Sequence, residues 1–250
     1  MNKLPDLSHL YGLGDNDTFL MSSSDIATVP CEMTLLIGYI EGGDIAVAAD
    51  GRARRHGQLY EETVHKTGRL TGSLCIGFSG GVFHGNMVVA PILGKPEWMD
   101  KGAIFDLWEE SKAELESVSY EQLKSEIKAQ LERVELNSRW REAQAKGEER
   151  SSILLAGKDR GKAKLCWLHV DKNELVCILE TEGHIIVGSK SSTKDKEAVE
   201  HLLLRQFCGI EKRLIDSIRY CAEKHPTVNS NVLIRRLTDD FQARWHYDDR

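Results

Sequence analysis

The order in which hydrophobic patterns follow one another limits the fold of this chain more than any other feature. Four β-leaning runs come first: TLLIGYI (34–40) and IAVAAD (45–50) around an EGGD turn, then KTGRL (66–70) and SLCIGFSGG (73–81) around a Thr-Gly-Ser turn. Such runs, bounded by Gly, Asp and Ser, read as paired antiparallel strands. The near-continuous apolarity of IAVAAD predicts a strand buried on both faces. Across 83–147 the spacing turns helical, in FDLWEESKAELESV (105–118) and YEQLKSEIKAQLERVEL (120–136). Strands return at 151–188 as SSILLAG, KLCWLHV, ELVCILE and HIIVG, which together read as a meander. Helical spacing follows in DKEAVEHLLLRQFC and KRLIDSIRYCAEKH, and NVLIRRL (231–237) reads as a closing edge strand.

Strands, helices, strands and helices in blocks, without βαβ alternation, argue against a doubly wound parallel sheet. The pattern predicts an α+β chain built as a four-layer αββα sandwich: two antiparallel sheets face to face, with helices on both outer faces. Residues 1–33 show neither period and are rich in Asp, Asn, Ser and Gly, so they are expected to be a leader ahead of a domain at 34–250.

Composition narrows the function classes. A net charge of −6 over 250 residues argues against a nucleic-acid platform, which shows a clustered basic excess, and RARR (52–55) is too short to supply one. The six cysteines, at 31, 75, 166, 177, 208 and 221, form no CxxC pair or Cys/His metal spacing, and most lie in apolar runs. They read as small core residues in a reducing compartment. No stretch approaches the roughly 20 apolar residues of a membrane span, and residues 1–33 lack a basic start followed by an apolar core. The expectation is a cytoplasmic protein that takes no metal and no cofactor. His56, His65 and His84 have no partners at metal-ligand spacing and read as surface or internally satisfied histidines.

One set of residues carries chemistry together. Thr34 heads the first strand, Gly38 lies within it, Asp50 ends the second strand with Arg52 two places on, Lys66 opens the third, and Gly80 closes the fourth within GFSGG. Counted from Thr34, these positions fall without gaps at the offsets of the proteasome β-subunits and their bacterial relatives, and the chain resembles these N-terminal nucleophile hydrolases. The likeness runs more loosely through ILLAGKDRGKAKLCWLHVDKNELV and IIVGSKSS, covering most of residues 34–235.

The resemblance implies a threonine-type endopeptidase. The Thr34 hydroxyl would be the nucleophile and its own freed α-amine the base, as a weak nucleophile requires. That amine, with an ordinary pKa of roughly 7.7–8.0, has a neutral fraction near physiological pH. Lys66 would favour loss of the hydroxyl proton, Asp50 would hold Lys66 charged and oriented, and the Gly80 backbone N–H would stabilise the oxyanion. Ser189 corresponds to a family serine that hydrogen-bonds the terminal amine, Arg52 to a structural ion-pairing residue, and Phe78 to a position that lines the substrate pocket. The family also implies a homo-oligomeric ring acting on unfolded protein or peptide, served by an ATPase unfoldase.

The chain departs from the family pattern in places. Leu35 stands where a small polar residue is usual, Lys190 where glycine follows the serine, and Met33 where a glycine precedes the nucleophile. The late support for the threonine falls somewhere among His225, Thr227, Asn229 and Ser230. Met33 suggests initiation at that residue, with methionine removal exposing Thr34, in preference to self-cleavage of a propeptide. The rival readings are a catalytically silent structural subunit of such a ring and a non-peptidase amidase on the same fold. Cys31 as an alternative nucleophile has nothing at matching offsets.

Overall fold

The computed structural model describes residues 19–20, 27–28, 35–55, 58–61, 63–101, 104–112, 114–115, 117–146, 148, 150–170, 176–187, 193–205, 208–225, 228–237 and 242–248. Thr34, Ser189, Lys190, Cys31, His56, Thr227 and nearly all of the expected leader lie outside the described residues.

Two short strands, β1 (Phe19–Leu20) and β2 (Ala27–Thr28), pair with each other. The hairpin expected at 34–50 is β3 (Leu36–Glu41) and β4 (Asp44–Asp50), turned by Gly42 and Gly43 at φ +60 and +90, values open to glycine at little cost. A small hairpin follows, β5 (Ala53–Arg55) with β6 (Gln58–Glu61), which the hydrophobic pattern does not announce. Then come β7 (Thr67–Thr71) and β8 (Leu74–Gly80).

The helical block contains α1 (Val82–Ile92), α2 (Ile104–Ser111), α3 (Tyr120–Glu135) and α4 (Ser138–Ala145), with a single 3-10 turn at Pro96–Trp98. α2 is shorter than its periodicity suggests: it ends at Ser111, and Lys112 takes φ +49. α3 starts where Ser119 and Gln122 form a reciprocal capping box. The chain continues with β9 (Ser151–Asp159), β10 (Lys162–Val170), β11 (Val176–Thr181), β12 (His184–Val187), α5 (Thr193–Leu203), α6 (Ile210–Lys224), β13 (Val232–Arg236) and β14 (Gln242–His246).

The strands form two five-stranded antiparallel sheets, ordered β11-β10-β9-β8-β7 and β12-β3-β4-β13-β14. Two sequence expectations are corrected here. The four strands at 151–188 are not one meander, because β12 leaves β11 and pairs with β3 in the other sheet. NVLIRRL is not an edge strand: β13 lies between β4 and β14. The pattern missed β14 because QARWH reads as polar, yet its backbone completes the ladder.

Three clusters of buried residues define the layering. Leu36, Ile45, Val47 and Ala49 of one sheet meet Cys75, Leu154, Leu165 and Trp167 of the other. Leu70, Ile76, Ile153 and Leu168 pack beneath residues of α1–α4, including Phe105, Leu131 and Trp140. Ile37, Ala48 and Ile234 pack beneath Val199 and Leu203 of α5 and Leu214 and Ile218 of α6. Sheet faces that alternate between an inter-sheet side and a helix side explain why IAVAAD is buried almost throughout. Among the described residues no helix is long and apolar enough to cross a membrane.

Candidate active site

Asp50 ends β4, one residue beyond the pairing of Ala49 with Leu36 at the start of β3, and its side chain is fully buried. Such a carboxylate is stable only if its oxygens are satisfied. Oδ1 accepts from the Leu35 amide at 2.7 Å and from Lys66 Nζ at 2.9 Å. Oδ2 accepts from the Arg52 amide at 3.0 Å and from the Asn229 amide at 3.4 Å. Four donors on two oxygens suit an ionised carboxylate, which offers only acceptors. The Asp50 amide in turn donates to the Leu35 carbonyl at 3.1 Å. Asn229 completes the shell from the other side, its Oδ1 accepting from the Gly51 amide at 2.9 Å. Among the described residues of the late-domain candidates, Asn229 is joined to Asp50.

Lys66 precedes β7, and its ammonium is almost wholly buried beside Asp50. Its neighbours on both sides are held by α2. The His65 amide donates to Asp106 Oδ1 at 3.0 Å, and the His65 ring pairs with the same carboxylate. Thr67 Oγ1 accepts from Arg235 Nε at 2.8 Å, and Arg235 is ion-paired with Glu109 at 3.0 Å. α2 approaches β7 closely because Gly68 has no side chain: a Cβ there would stand 2.6 Å from the Phe105 ring. The Trp108 indole N–H then donates to the Arg69 carbonyl at 2.6 Å. An amphipathic helix that reads as a mere surface cover thus fixes where the lysine points.

Lys66 is also tied to β8, since its carbonyl accepts from the Phe78 amide at 3.2 Å. Phe78 is 7% exposed, and its ring sits 5.4 Å from the Phe105 ring and against Gly85, within the helix-side core. At the end of β8, Gly80 has φ +109, and a Cβ there would lie 2.4 Å from the Arg150 carbonyl oxygen. No other residue fits. Gly81, the N-cap of α1, donates its amide to the same carbonyl at 3.3 Å.

No family model matches the chain, and no curated protein matches it.

Asp50, Arg52, Lys66 and Asn229 are thus brought together by backbone and side chain, while Gly80 joins them through β8. Chain continuity adds one constraint. Leu35 N, bonded covalently to residue 34, is held on the Asp50 carboxylate. Residue 34 is thus linked through an amide that the Asp50 carboxylate holds. Sequence reasoning missed a second polar assembly, built on His84, Glu135 and Arg150, behind the Gly80 turn. The signal was weak, since a lone histidine on a helix and a glutamate at a helix end are individually commonplace.

Proposed function

We propose that the chain is a threonine-type endopeptidase of the N-terminal nucleophile class, with Thr34 as the attacking residue. The observation that carries this reading is the buried Asp50–Lys66 pair whose carboxylate also binds the amide of Leu35, the residue after Thr34. Burying a lysine against its carboxylate carries a desolvation cost that apolar residues would avoid, which favours a role beyond stability for the pair. In this reading the Lys66 charge would serve to favour loss of the Thr34 hydroxyl proton.

In this reading the Thr34 hydroxyl attacks the scissile carbonyl and its free α-amine takes the proton. Lys66 stabilises the developing negative charge and lowers the amine pKa by like-charge repulsion, while Asp50 keeps Lys66 in place. The oxyanion of the tetrahedral intermediate is received by the Gly80 backbone amide, and water then releases the acyl group. The two antiparallel sheets covered by helices suit the N-terminal nucleophile type. Ring-shaped homo-oligomers acting on unfolded chains, with an ATPase unfoldase, complete the proposal.

The test is intact-mass and N-terminal analysis of the protein from its native cells, with hydrolysis of a fluorogenic peptide, for wild type and Thr34→Ala. A chain starting at Thr34 that hydrolyses peptide, with activity lost in Thr34→Ala, supports the reading. A native chain that keeps residues 1–33 has no free threonine amine, and the structural-subunit reading then replaces it.

A further inference from the structure

Behind the Gly80 turn lies a closed circuit of buried polar groups that the nucleophile chemistry leaves unexplained. His84, in the first turn of α1, is fully buried, and its Nδ1 accepts from the Ser151 amide at 3.1 Å and lies 2.9 Å from Ser151 Oγ. An Nδ1 facing these groups places the ring proton on Nε2, which faces Glu135 Oε1 at 3.3 Å. Glu135, at the end of α3, also accepts from Arg150 Nε at 2.9 Å, from Arg150 Nη2 at 2.7 Å and from the Trp140 indole at 3.1 Å. Arg150 and Ser151 are consecutive, so the circuit returns to its start.

The outward face of this circuit is the backbone of residues 150–151, and that backbone bears on the turn. The Arg150 carbonyl accepts from the Gly81 amide, and with Ser151 Cα it blocks any side chain at Gly80. A Gly-Gly turn is loose by itself, because glycine has the widest choice of backbone angles. The N-cap of α1 has no side-chain hydrogen bond to stiffen it. Oxyanion donors are effective only when their position is set before the charge develops.

We propose that His84, Glu135 and Arg150 are positioning residues for the Gly80–Gly81 turn: they hold the Arg150 carbonyl that anchors the Gly81 amide and so fix the Gly80 amide where the oxyanion forms; this rests on the peptidase reading above. Their action is through the Arg150–Ser151 backbone.

The test compares wild type, His84→Gln and Ser151→Ala by three readouts: amide hydrogen exchange in the segment 78–86, kcat and KM for a fluorogenic peptide, and labelling of Thr34 by a peptide vinyl sulfone. The vinyl sulfone adds to the hydroxyl without forming a carbonyl-derived oxyanion. In His84→Gln, exchange in the segment is expected to rise about tenfold or more and kcat to fall by about 10–100-fold, with KM and labelling within twofold of wild type. Ser151→Ala, which keeps the amide donor, should shift the same quantities less and serves if His84→Gln fails to fold. Unchanged exchange in both variants overturns the proposal, as does a parallel fall in labelling and kcat. A wild type that neither hydrolyses nor labels removes the peptidase reading and with it the oxyanion role, while the exchange comparison still decides whether the circuit holds the turn.

Discussion

Lys66 Nζ lies 2.9 Å from Asp50 Oδ1, with 7% and 0% of the two side chains exposed. Removing either partner strands the other's charge away from water. Lys66→Met and Asp50→Asn should each cost about 3–5 kcal/mol in urea unfolding, and the double variant less than the sum. On the proposed peptidase function, peptide hydrolysis should fall about 10²–10⁴-fold in each single variant. Losses below about 0.5 kcal/mol would mean that the pair is not a structural unit.

Gly80 and Gly42 both have positive φ, at +109 and +60, but only Gly80 is hemmed in by backbone. Gly42→Ala adds a methyl to open space and should cost about 1–2 kcal/mol for the backbone angle alone. Gly80→Ala must also push the Arg150 carbonyl away and should exceed about 3 kcal/mol, with a lower thermal midpoint. Equal shifts for the two variants would mean that the contact with residue 150 is not tight.

The ion pair of Arg235 and Glu109 is unequal: Arg235 is fully buried, whereas a third of the Glu109 side chain is exposed. Glu109→Ala leaves a buried guanidinium without its counter-charge and should cost about 3 kcal/mol or more. Arg235→Met leaves a carboxylate that can turn to water and should cost about 1 kcal/mol or less beyond its lost bond to Thr67. Chemical denaturation of the two variants gives the order directly. The reverse order would place the dependence on the glutamate.

Acid should loosen the His84–Glu135 circuit in two stages. Burial holds the His84 imidazole below its ordinary value of 6.5, against the pull of Glu135. Burial resists ionisation of Glu135, but hydrogen bonds from His84 and Arg150 outweigh it and hold the carboxyl at about 2, against an ordinary 4.5. Both groups bind protons more readily unfolded, so each contributes stability at higher pH and loses it as pH falls. His84 begins to lose its share below about pH 6.5, and Glu135 loses its share, no more than about 3 kcal/mol, between roughly pH 4.5 and 2. Glu135→Gln should flatten the lower part of the curve of thermal midpoint against pH.

The hairpins at 34–50 and 66–80 were legible because tight turns and apolar runs are local signals. Assigning strands to sheets was not local. HIIVG resembles the three strands before it, yet its ladder partner is β3, far back in the chain. QARWH escaped notice because pairing with β13 needs backbone, not hydrophobic side chains. Asp50 and Lys66 stood out through their spacing, and the structure brings their side chains into contact. Asn229 could not be chosen among its neighbours, since its amide reaches Asp50 only through the path of the loop before β13. Arg235 and Glu135, both buried, drew no attention, because sequence does not reveal that a charge has been enclosed.

Leu35 divides its duties between side chain and backbone. Its side chain is packed in the core beneath α5 and α6, and its amide and carbonyl are both bound to Asp50. Neither bond involves the peptide link between residues 33 and 34. In the proposed peptidase, a chain that begins at Thr34 would therefore keep the carboxylate, its lysine and the Leu35 tether in the same register as the longer chain, one prebuilt scaffold serving both.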